Sequence, residues 1–296
     1  MNDFVIIGGG VYGAATAWWL ARAGATVTII DEQGIASRAS GGPGQRGVRA
    51  NGRDGRELPL MARAYDIWPT LHEELDSPPF YTRVGQLLLT EREADPRLEA
   101  RAWLQRQHGV ETEVLSREAV RDMEPNVSNR VTGALYCPKD GVADHGATTR
   151  AYAAAAEKLG VQIQTGVRAS TIATQGSRAD GVITNEQERL PARKGVLVLA
   201  NSAVAALTSP WLSLPLWNEC LQVIVSRPLA SVPFTHLTGH MSRTVSLKTE
   251  GADRVMVSGG WHGHWDLDTE TGSTLHDAVA GNLAEAKEVY PDLAPI

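Results

Sequence analysis

Residues 4–31 read FVIIGGGVYGAATAWWLARAGATVTIID, and this stretch decides the fold of the chain. Residues 4–7 form a short apolar run, typical of a central parallel strand that is covered on both faces. Residues 11–23 are rich in helix-forming side chains, and Gly24 is placed to end the helix. Residues 26–30 are all β-branched and predict a second strand. The stretch therefore predicts a strand–helix–strand unit.

Three glycines, Gly8, Gly10 and Gly13, lie between the first strand and the helix in a G-x-G-x-x-G pattern. The first permits a tight turn, the second lets the backbone approach a pyrophosphate, and the third lets helix and strand pack closely. The helix N-terminus, at Val11 and Tyr12, offers free N–H groups to phosphates. Asp31, followed by Glu32, stands where an acid can accept hydrogen bonds from ribose. The pattern predicts a dinucleotide site and leaves NAD and FAD open.

The composition is that of an ordinary globular protein. The 296 residues carry a formal net charge of −6, and 43% are hydrophobic, which excludes a disordered chain and disfavours general affinity for nucleic acid. The two cysteines, Cys137 and Cys220, are far apart, so neither a disulfide framework nor a cysteine-based metal site is expected. Without a signal-like N-terminus or a run long enough to span a membrane, a cytoplasmic location is expected.

The remaining pattern predicts an α/β layer interleaved with a β-rich layer. Two discontinuous domains are expected, a nucleotide-binding domain over 1–80 and 140–214 and a second domain over 81–139 and 215–296. Residues 35–55, rich in Gly, Ser and Arg, are expected to form a long loop, and a loop of this length is usually either functional or disordered. Helices are predicted at 58–75 with a kink at Pro69, 98–107, 116–123, 148–159 and 272–290, and strands at 84–89, 135–137, 161–164, 181–184, 195–199, 221–225, 244–247 and 255–258.

Several stretches resemble one family. Residues 8–31 are similar to the N-terminal fingerprint of the FAD-dependent amine and amino-acid oxidoreductases, the group of D-amino-acid oxidase, glycine oxidase and monomeric sarcosine oxidase. ASGGPGQRGVRANGRDGRELPLMARAYDIW (39–68) resembles that family's flavin-contacting loop. ALYCPKDGVADHGATTRAYAAAAEKLGVQI (134–163) resembles its return to the FAD layer. Residues 214–225 and 255–266 resemble strands of its substrate sheet.

The resemblance implies a Rossmann-like FAD-binding domain with an interleaved β-rich substrate domain, and a noncovalent FAD. The implied reaction is oxidation of the C–N bond of a small amino acid or secondary amine by hydride transfer to the flavin. It implies Arg46, Arg49 and His262 as catalytic residues. The implied cofactor contacts are Gly8, Gly10, Val11, Tyr12, Gly13, Asp31, Glu32, Ser40, Arg46, Ala169 and Ala200; no metal is implied.

Two departures from the family leave questions open. Ser258 stands where the related oxidase has a lysine that promotes reaction with oxygen, so either oxygen or another electron acceptor is compatible with the sequence. The chain stops where the family adds a further segment, so a fragment, a truncated product or a chain that needs a partner subunit is expected. The alternatives are an NAD-dependent dehydrogenase, supported by Asp31 alone, and an inactive FAD-binding subunit.

Overall fold

A computed structural model of the chain describes residues 1–37, 44–269 and 271–293. The chain forms two compact units. Unit 1 comprises Met1–Pro43, Leu71–Phe80 and His145–Asn218, and unit 2 comprises Gly44–Thr70, Tyr81–Asp144 and Glu219–Ile296.

The secondary structure of the described residues alternates helices and strands. The helices are α1 (Val11–Arg22), α2 (Leu58–Ile67), α3 (Leu71–Glu74), α4 (Pro96–Gln107), α5 (Arg117–Met123), α6 (His145–Lys158), α7 (Val204–Thr208) and α8 (His276–Val289). The strands are β1 (Asn2–Ile7), β2 (Val27–Asp31), β3 (Gln45–Val48), β4 (Tyr81–Arg83), β5 (Gln86–Thr90), β6 (Glu113–Ser116), β7 (Gly133–Cys137), β8 (Gly141–Asp144), β9 (Gln162–Thr165), β10 (Ala169–Gln175), β11 (Arg178–Thr184), β12 (Arg189–Val198), β13 (Ile224–Val225), β14 (Leu237–His240), β15 (Ser246–Glu250), β16 (Arg254–Ser258), β17 (His264–Asp266) and β18 (Thr271–Ser273).

Unit 1 is built on a six-stranded sheet in the order β10-β11-β12-β1-β2-β9. The strands β12, β1, β2 and β9 run parallel, and β10, β11 and β12 pair antiparallel. The central strands β1 and β2 are almost fully buried, as strands covered on both faces must be. Trp18 of α1 meets Tyr152 of α6 edge to face, with ring centroids 5.6 Å apart. The predicted strand–helix–strand unit is therefore present at the centre of the sheet.

Unit 2 contains a seven-stranded sheet in the order β13-β16-β15-β14-β5-β7-β6, and a smaller sheet in the order β3-β8-β4. One face of the larger sheet carries Leu87, Leu89 and Leu247, which pack with Val289 and Tyr290 at the end of α8 in one apolar core. Side chains alternate between faces along a strand, so the neighbours of these leucines point to the opposite face. That opposite face carries Lys248 of β15 and Met256 of β16.

The structure differs from the sequence-based prediction in the 35–55 region. Residues 45–48 form β3, which pairs antiparallel with β8, so part of the predicted loop is a strand. The residues alternate poorly in hydrophobicity, and only pairing with a distant strand makes them extended. The predicted break at Pro69 is present, because α2 ends at Ile67 and α3 begins at Leu71.

Residues 44–70 and 140–144 belong to compact unit 2, and residues 215–218 belong to unit 1. The β3–β8 pairing ties the first two of these segments to the Tyr81–Arg83 strand. The arginine-bearing segment is thus part of the β-rich unit. The domain bounds expected from the sequence stay a prediction.

Candidate functional site

The turn between β1 and α1 is formed by backbone packing at two of the three glycines. Gly8 adopts a φ of +112°, and a Cβ there would lie 2.4 Å from the carbonyl oxygen of Leu199. A Cβ on Gly13 would lie 1.9 Å from the carbonyl oxygen of Gly8. A side chain is sterically excluded at both positions. A Cβ on Gly10, by contrast, would meet nothing within 4 Å. The backbone at Gly10 is therefore open to a bound group.

The N-terminus of α1 is suited to bind an anion. Gly10 is the N-cap residue and provides no side-chain cap, and the first turn has no acidic residue. Val11 is half-buried, while the side chain of Tyr12 is 78% exposed. The amides of the first helical turn lack partners within the helix, and the helix dipole adds a partial positive charge. The residues present thus fit a pyrophosphate, as the three glycines predict.

Asp31 ends β2, and its carboxylate is used by the protein itself. Oδ2 accepts a hydrogen bond from the Gly9 amide at 2.7 Å. Oδ1 accepts from the amides of Gln33 at 2.9 Å and Gly34 at 2.7 Å. A carboxylate has about four acceptor positions, so three are already in use. Asp31 therefore holds the glycine turn against β2, and Glu32 is the exposed acid beside it.

Ala169 and Ala200 both lie in unit 1. Both are partly buried and pack on the apolar cluster that contains Val5 and Ile7. The Cα of Ala200 would lie 3.2 Å from a Cβ at Gly8, so this alanine borders the glycine turn. Ser40 lies outside the described residues.

Arg46 and Arg49 both lie in unit 2, on or next to β3. Nη1 of Arg46 donates to the carbonyl of Gln45 at 2.6 Å and lies 3.3 Å from the Met256 sulfur. Nη1 of Arg49 donates to the carbonyl of Asn51. Burial lowers the pKa of both guanidinium groups. An arginine side chain nevertheless stays charged near neutral pH. The sequence thus located two partly buried cations near one sheet face.

A third cation, Lys248 on β15, was missed by sequence reasoning. Lys248 lies directly opposite Met256 of β16, and opposite residues of an antiparallel pair share a face. The lysine is therefore on the sheet face that Arg46 contacts through the Met256 sulfur. Lys248 is only 6% exposed. The alternation in SLKTE, with Leu247 in the core, signals a lysine on the face opposite that core, but not its burial.

A buried network holds the backbone next to Arg49. The carboxylate of Asp140 accepts hydrogen bonds from the Tyr65 hydroxyl at 2.5 Å and the Ala50 amide at 2.7 Å. Burial raises the pKa of Asp140 to about 6. Asn51 is also fully buried, and its side-chain amide donates to the carbonyl of Gln86 at 3.3 Å. The chain that follows Arg49 is thus fixed to the large sheet.

His262 lies in a different environment from the two arginines. The residue forms an isolated bridge with Leu221, and its side chain is 41% exposed. Its Nδ1 lies 3.4 Å from a carboxylate oxygen of Glu219. A catalytic role for His262 stays a prediction.

The described residues, 1–37, 44–269 and 271–293, bear on two further features, a metal centre and a membrane-spanning helix. In that part of the chain, no group of three or more His, Cys, Asp or Glu side chains is arranged to hold a metal ion. Among the helices described, none combines the length and apolar character that crossing a membrane requires.

Comparison with known proteins identifies the class of this chain. Residues 3–296 match the family described as FAD dependent oxidoreductase, and the chain belongs to this family. The cofactor of the family is FAD, which decides the choice between NAD and FAD that the glycines left open. The resemblance seen in the sequence is confirmed.

Individual relatives are similar over nearly the whole chain. The chain is 28% identical over 308 residues to sarcosine oxidase subunit beta of Arthrobacter sp, covering 99% of this chain and 73% of the relative. Its fold is similar to L-proline dehydrogenase of P. horikoshii, with a TM-score of 0.87 at 20% identity, covering 99% of this chain and 78% of the other. Glycine oxidase of Geobacillus kaustophilus gives a TM-score of 0.84 at 21% identity, covering 99% and 79%. The predicted Rossmann-like α/β fold is confirmed.

Proposed function

We propose that this chain binds FAD noncovalently and oxidises the C–N bond of a small amino acid or secondary amine. The observation that carries the proposal is the pair of features found in the two units. Unit 1 has a glycine turn that is open at Gly10, and unit 2 has a group of cations in which Arg46 and Arg49 are partly buried and Lys248 is buried. The relative named sarcosine oxidase subunit beta supports an N-methylated amino acid as a representative substrate.

The residues of unit 1 would hold the cofactor. Backbone amides at Gly10, Val11 and Tyr12 would donate to the pyrophosphate, and Gly8 and Gly13 keep the turn narrow enough for this approach. Glu32 would accept from the ribose hydroxyls, while Asp31 holds the turn and retains one acceptor position. Ala200 would provide a small, apolar contact at the border of the turn, and Ala169, packed on the same apolar cluster, is proposed as a further cofactor contact.

The residues of unit 2 would act on the substrate. FAD, when bound, would accept a hydride, which carries both electrons, from the carbon next to nitrogen, and the nitrogen would lose a proton to solvent; water would then hydrolyse the imine to a carbonyl compound and an amine. Arg46, Arg49 and Lys248 produce a positive potential that favours an anionic substrate and opposes protonation of its amine. His262 is proposed to contact the reacting groups, as the family resemblance implies.

The proposal is tested by absorption spectroscopy of the purified chain with added FAD. Under anaerobic conditions, glycine, sarcosine, L-proline, D-alanine and their carboxylate-free amine counterparts would be added in turn. Bleaching of the flavin band by at least one of them is the expected result. FAD that binds but is reduced by none of them would contradict the substrate proposal. Re-oxidation by oxygen, compared with an artificial acceptor, would distinguish an oxidase from a dehydrogenase.

A partner subunit stays a prediction, and one surface in unit 1 supports it. Trp211, Leu212 and Leu216 are between 49% and 56% exposed within a short segment. Neighbouring exposed apolar side chains are typical of a surface that another polypeptide covers. The named relative is itself a subunit. Light scattering of the FAD-loaded chain, alone and with neighbouring gene products, would measure this assembly.

A further inference from the structure

Lys248 is a buried charge at the centre of a sheet. It lies on β15, between β14 and β16, and is 6% exposed. An ammonium group removed from water is costly unless an opposite charge or several hydrogen-bond acceptors compensate it. Lysine is among the residues that are almost never fully buried in proteins unless they are paired.

The protein itself compensates this charge only weakly. Within the part of the chain that the structure describes, no carboxylate lies within the 4.0 Å of an ion pair with the Lys248 ammonium. Glu250 lies two residues along the same strand and so on the same face. Its carboxylate accepts the Gln45 amide at 2.9 Å, so it is shared with the backbone of β3.

The two arginines of the cluster differ from Lys248 in this respect. Nη1 of Arg46 donates to a carbonyl at 2.6 Å, and Nη1 of Arg49 donates to the carbonyl of Asn51. Asp140 and Glu57 also act electrostatically on Arg49. Each guanidinium group thus donates to a protein carbonyl, whereas Glu250 acts electrostatically on Arg46 and Lys248 alike. Within the described residues, the Lys248 ammonium has neither a hydrogen-bond acceptor nor an ion-pair partner in the protein.

We propose that Lys248 is the anion-binding residue of unit 2, where its ammonium binds the carboxylate of the substrate. Arg46 and Arg49 then supply the surrounding positive potential. The inference rests on the proposed function and narrows it: the substrate is an amino acid or N-alkyl amino acid, and an amine without a carboxylate is a poor substrate.

The test measures carboxylate binding directly, so that it does not depend on turnover. Acetate is the probe and acetamide, its neutral counterpart of equal size, is the control ligand; each is titrated calorimetrically into FAD-loaded protein. The variants are Lys248→Met, which keeps length and removes charge, and Lys248→Arg, which keeps charge. Lys139→Met is the matched control, because the Lys139 side chain, in the same unit, is 45% exposed and forms a surface ion pair with Glu111 at 3.5 Å.

The expected result is that wild type and Lys139→Met bind acetate in preference to acetamide. Lys248→Met should lose about tenfold or more in acetate affinity, as expected for loss of a charge-assisted hydrogen bond, and Lys248→Arg should retain part of it. Equal acetate affinity in Lys248→Met and wild type would overturn the inference, as would wild type that binds neither ligand. A thermal melt of each variant verifies folding; Met at this buried position is expected to keep the fold.

A kinetic arm separates this inference from the proposed function. If amino acids reduce the flavin, Lys248→Met should raise KM for the carboxylate-bearing substrate at least tenfold, with a smaller effect on kcat. Unchanged KM with flavin reduction intact would reject Lys248 and leave the function standing. No flavin reduction in any variant would reject the function, while acetate binding would still report on Lys248.

Discussion

Oδ2 of Asp31 accepts a hydrogen bond from the amide of Gly9 at 2.7 Å, so the acid at the end of β2 fixes the glycine turn at the end of β1. Two further backbone amides, of Gln33 and Gly34, donate to Oδ1 of the same carboxylate. The acid that the sequence assigns to ribose binding therefore also has a structural role. This arrangement makes stability and FAD affinity separable by mutation.

Replacing Asp31 tests its structural role. Asp31→Ala would leave three backbone amides without their acceptor, and we expect a loss of about 1–3 kcal/mol in the free energy of unfolding. Glu32→Gln, at the exposed neighbouring position, should change this free energy by less than about 0.5 kcal/mol while weakening FAD binding. Urea denaturation of the FAD-free proteins measures the first effect. Equal stability of the two variants would contradict it.

The glycines of the turn should divide into two classes. A Cβ on Gly13 would meet the Gly8 carbonyl at 1.9 Å, so Gly13→Ala should destabilise unit 1 and abolish FAD binding together. A Cβ on Gly10 has open space, so Gly10→Ala should keep the melting temperature of the FAD-free protein and still weaken FAD binding. Thermal melts and FAD titrations compare the two. A stable Gly13→Ala protein would refute the packing argument.

Lys248 should lower stability near neutral pH. Burial first, and then Arg46 and Arg49, lower the pKa of Lys248 to about 8, while Glu250 acts in the opposite direction. Between about pH 8 and pH 10, Lys248 binds more protons in the unfolded protein, where its pKa is near 10.4, than in the folded protein. Its contribution to the free energy of unfolding of the wild type therefore rises with pH in this range.

Removing the lysine should remove that cost. Lys248→Met should increase the free energy of unfolding at pH 7 by up to about 3 kcal/mol, because one pKa unit is worth about 1.4 kcal/mol. The gain should shrink towards pH 10. Denaturation at both pH values is the measurement, with Lys139→Met as the reference. A gain that does not change with pH would point to better packing instead.

Acetate affinity should follow the protonation of the same lysine. The Arg46 and Arg49 guanidinium groups stay charged and acetate stays ionised between pH 6.5 and about pH 9.5, so neither explains a change in that range. Loss of the Lys248 proton with a pKa of about 8 should reduce acetate affinity above that pH. Calorimetric titrations across the range measure the profile. Lys248→Arg should show a flat profile, and a flat wild-type profile would reject the assignment.

FAD should be released by acid precipitation of the protein. Cys137 is fully buried, burial raises the pKa of its thiol, and its hydroxyl neighbour Thr112 lies at 3.5 Å. A protonated, enclosed thiol is a poor nucleophile towards a flavin. After precipitation with trichloroacetic acid, the yellow colour should remain in the supernatant. Colour retained in the pellet would show a covalent link and contradict the prediction.

The sequence alone determined the nucleotide-binding unit. The glycine spacing, the apolar run of β1 and the β-branched run of β2 are local patterns, and each one specifies its element without a distant partner. Arg46 and Arg49 were located as candidates by the same reading, through the resemblance of their segment to a flavin-contacting loop. Their roles, and that of His262, stay predictions.

Only the tertiary structure decided which residues share a face or an acceptor. β3 becomes a strand by pairing with β8, which lies far along the chain, and this pairing places the arginine segment in unit 2. Lys248 reads as an ordinary strand lysine until its pairing with Met256 buries it on the face that Arg46 contacts. Burial and electrostatic potential depend on contacts between segments far apart in the chain, and a local sequence pattern does not contain them.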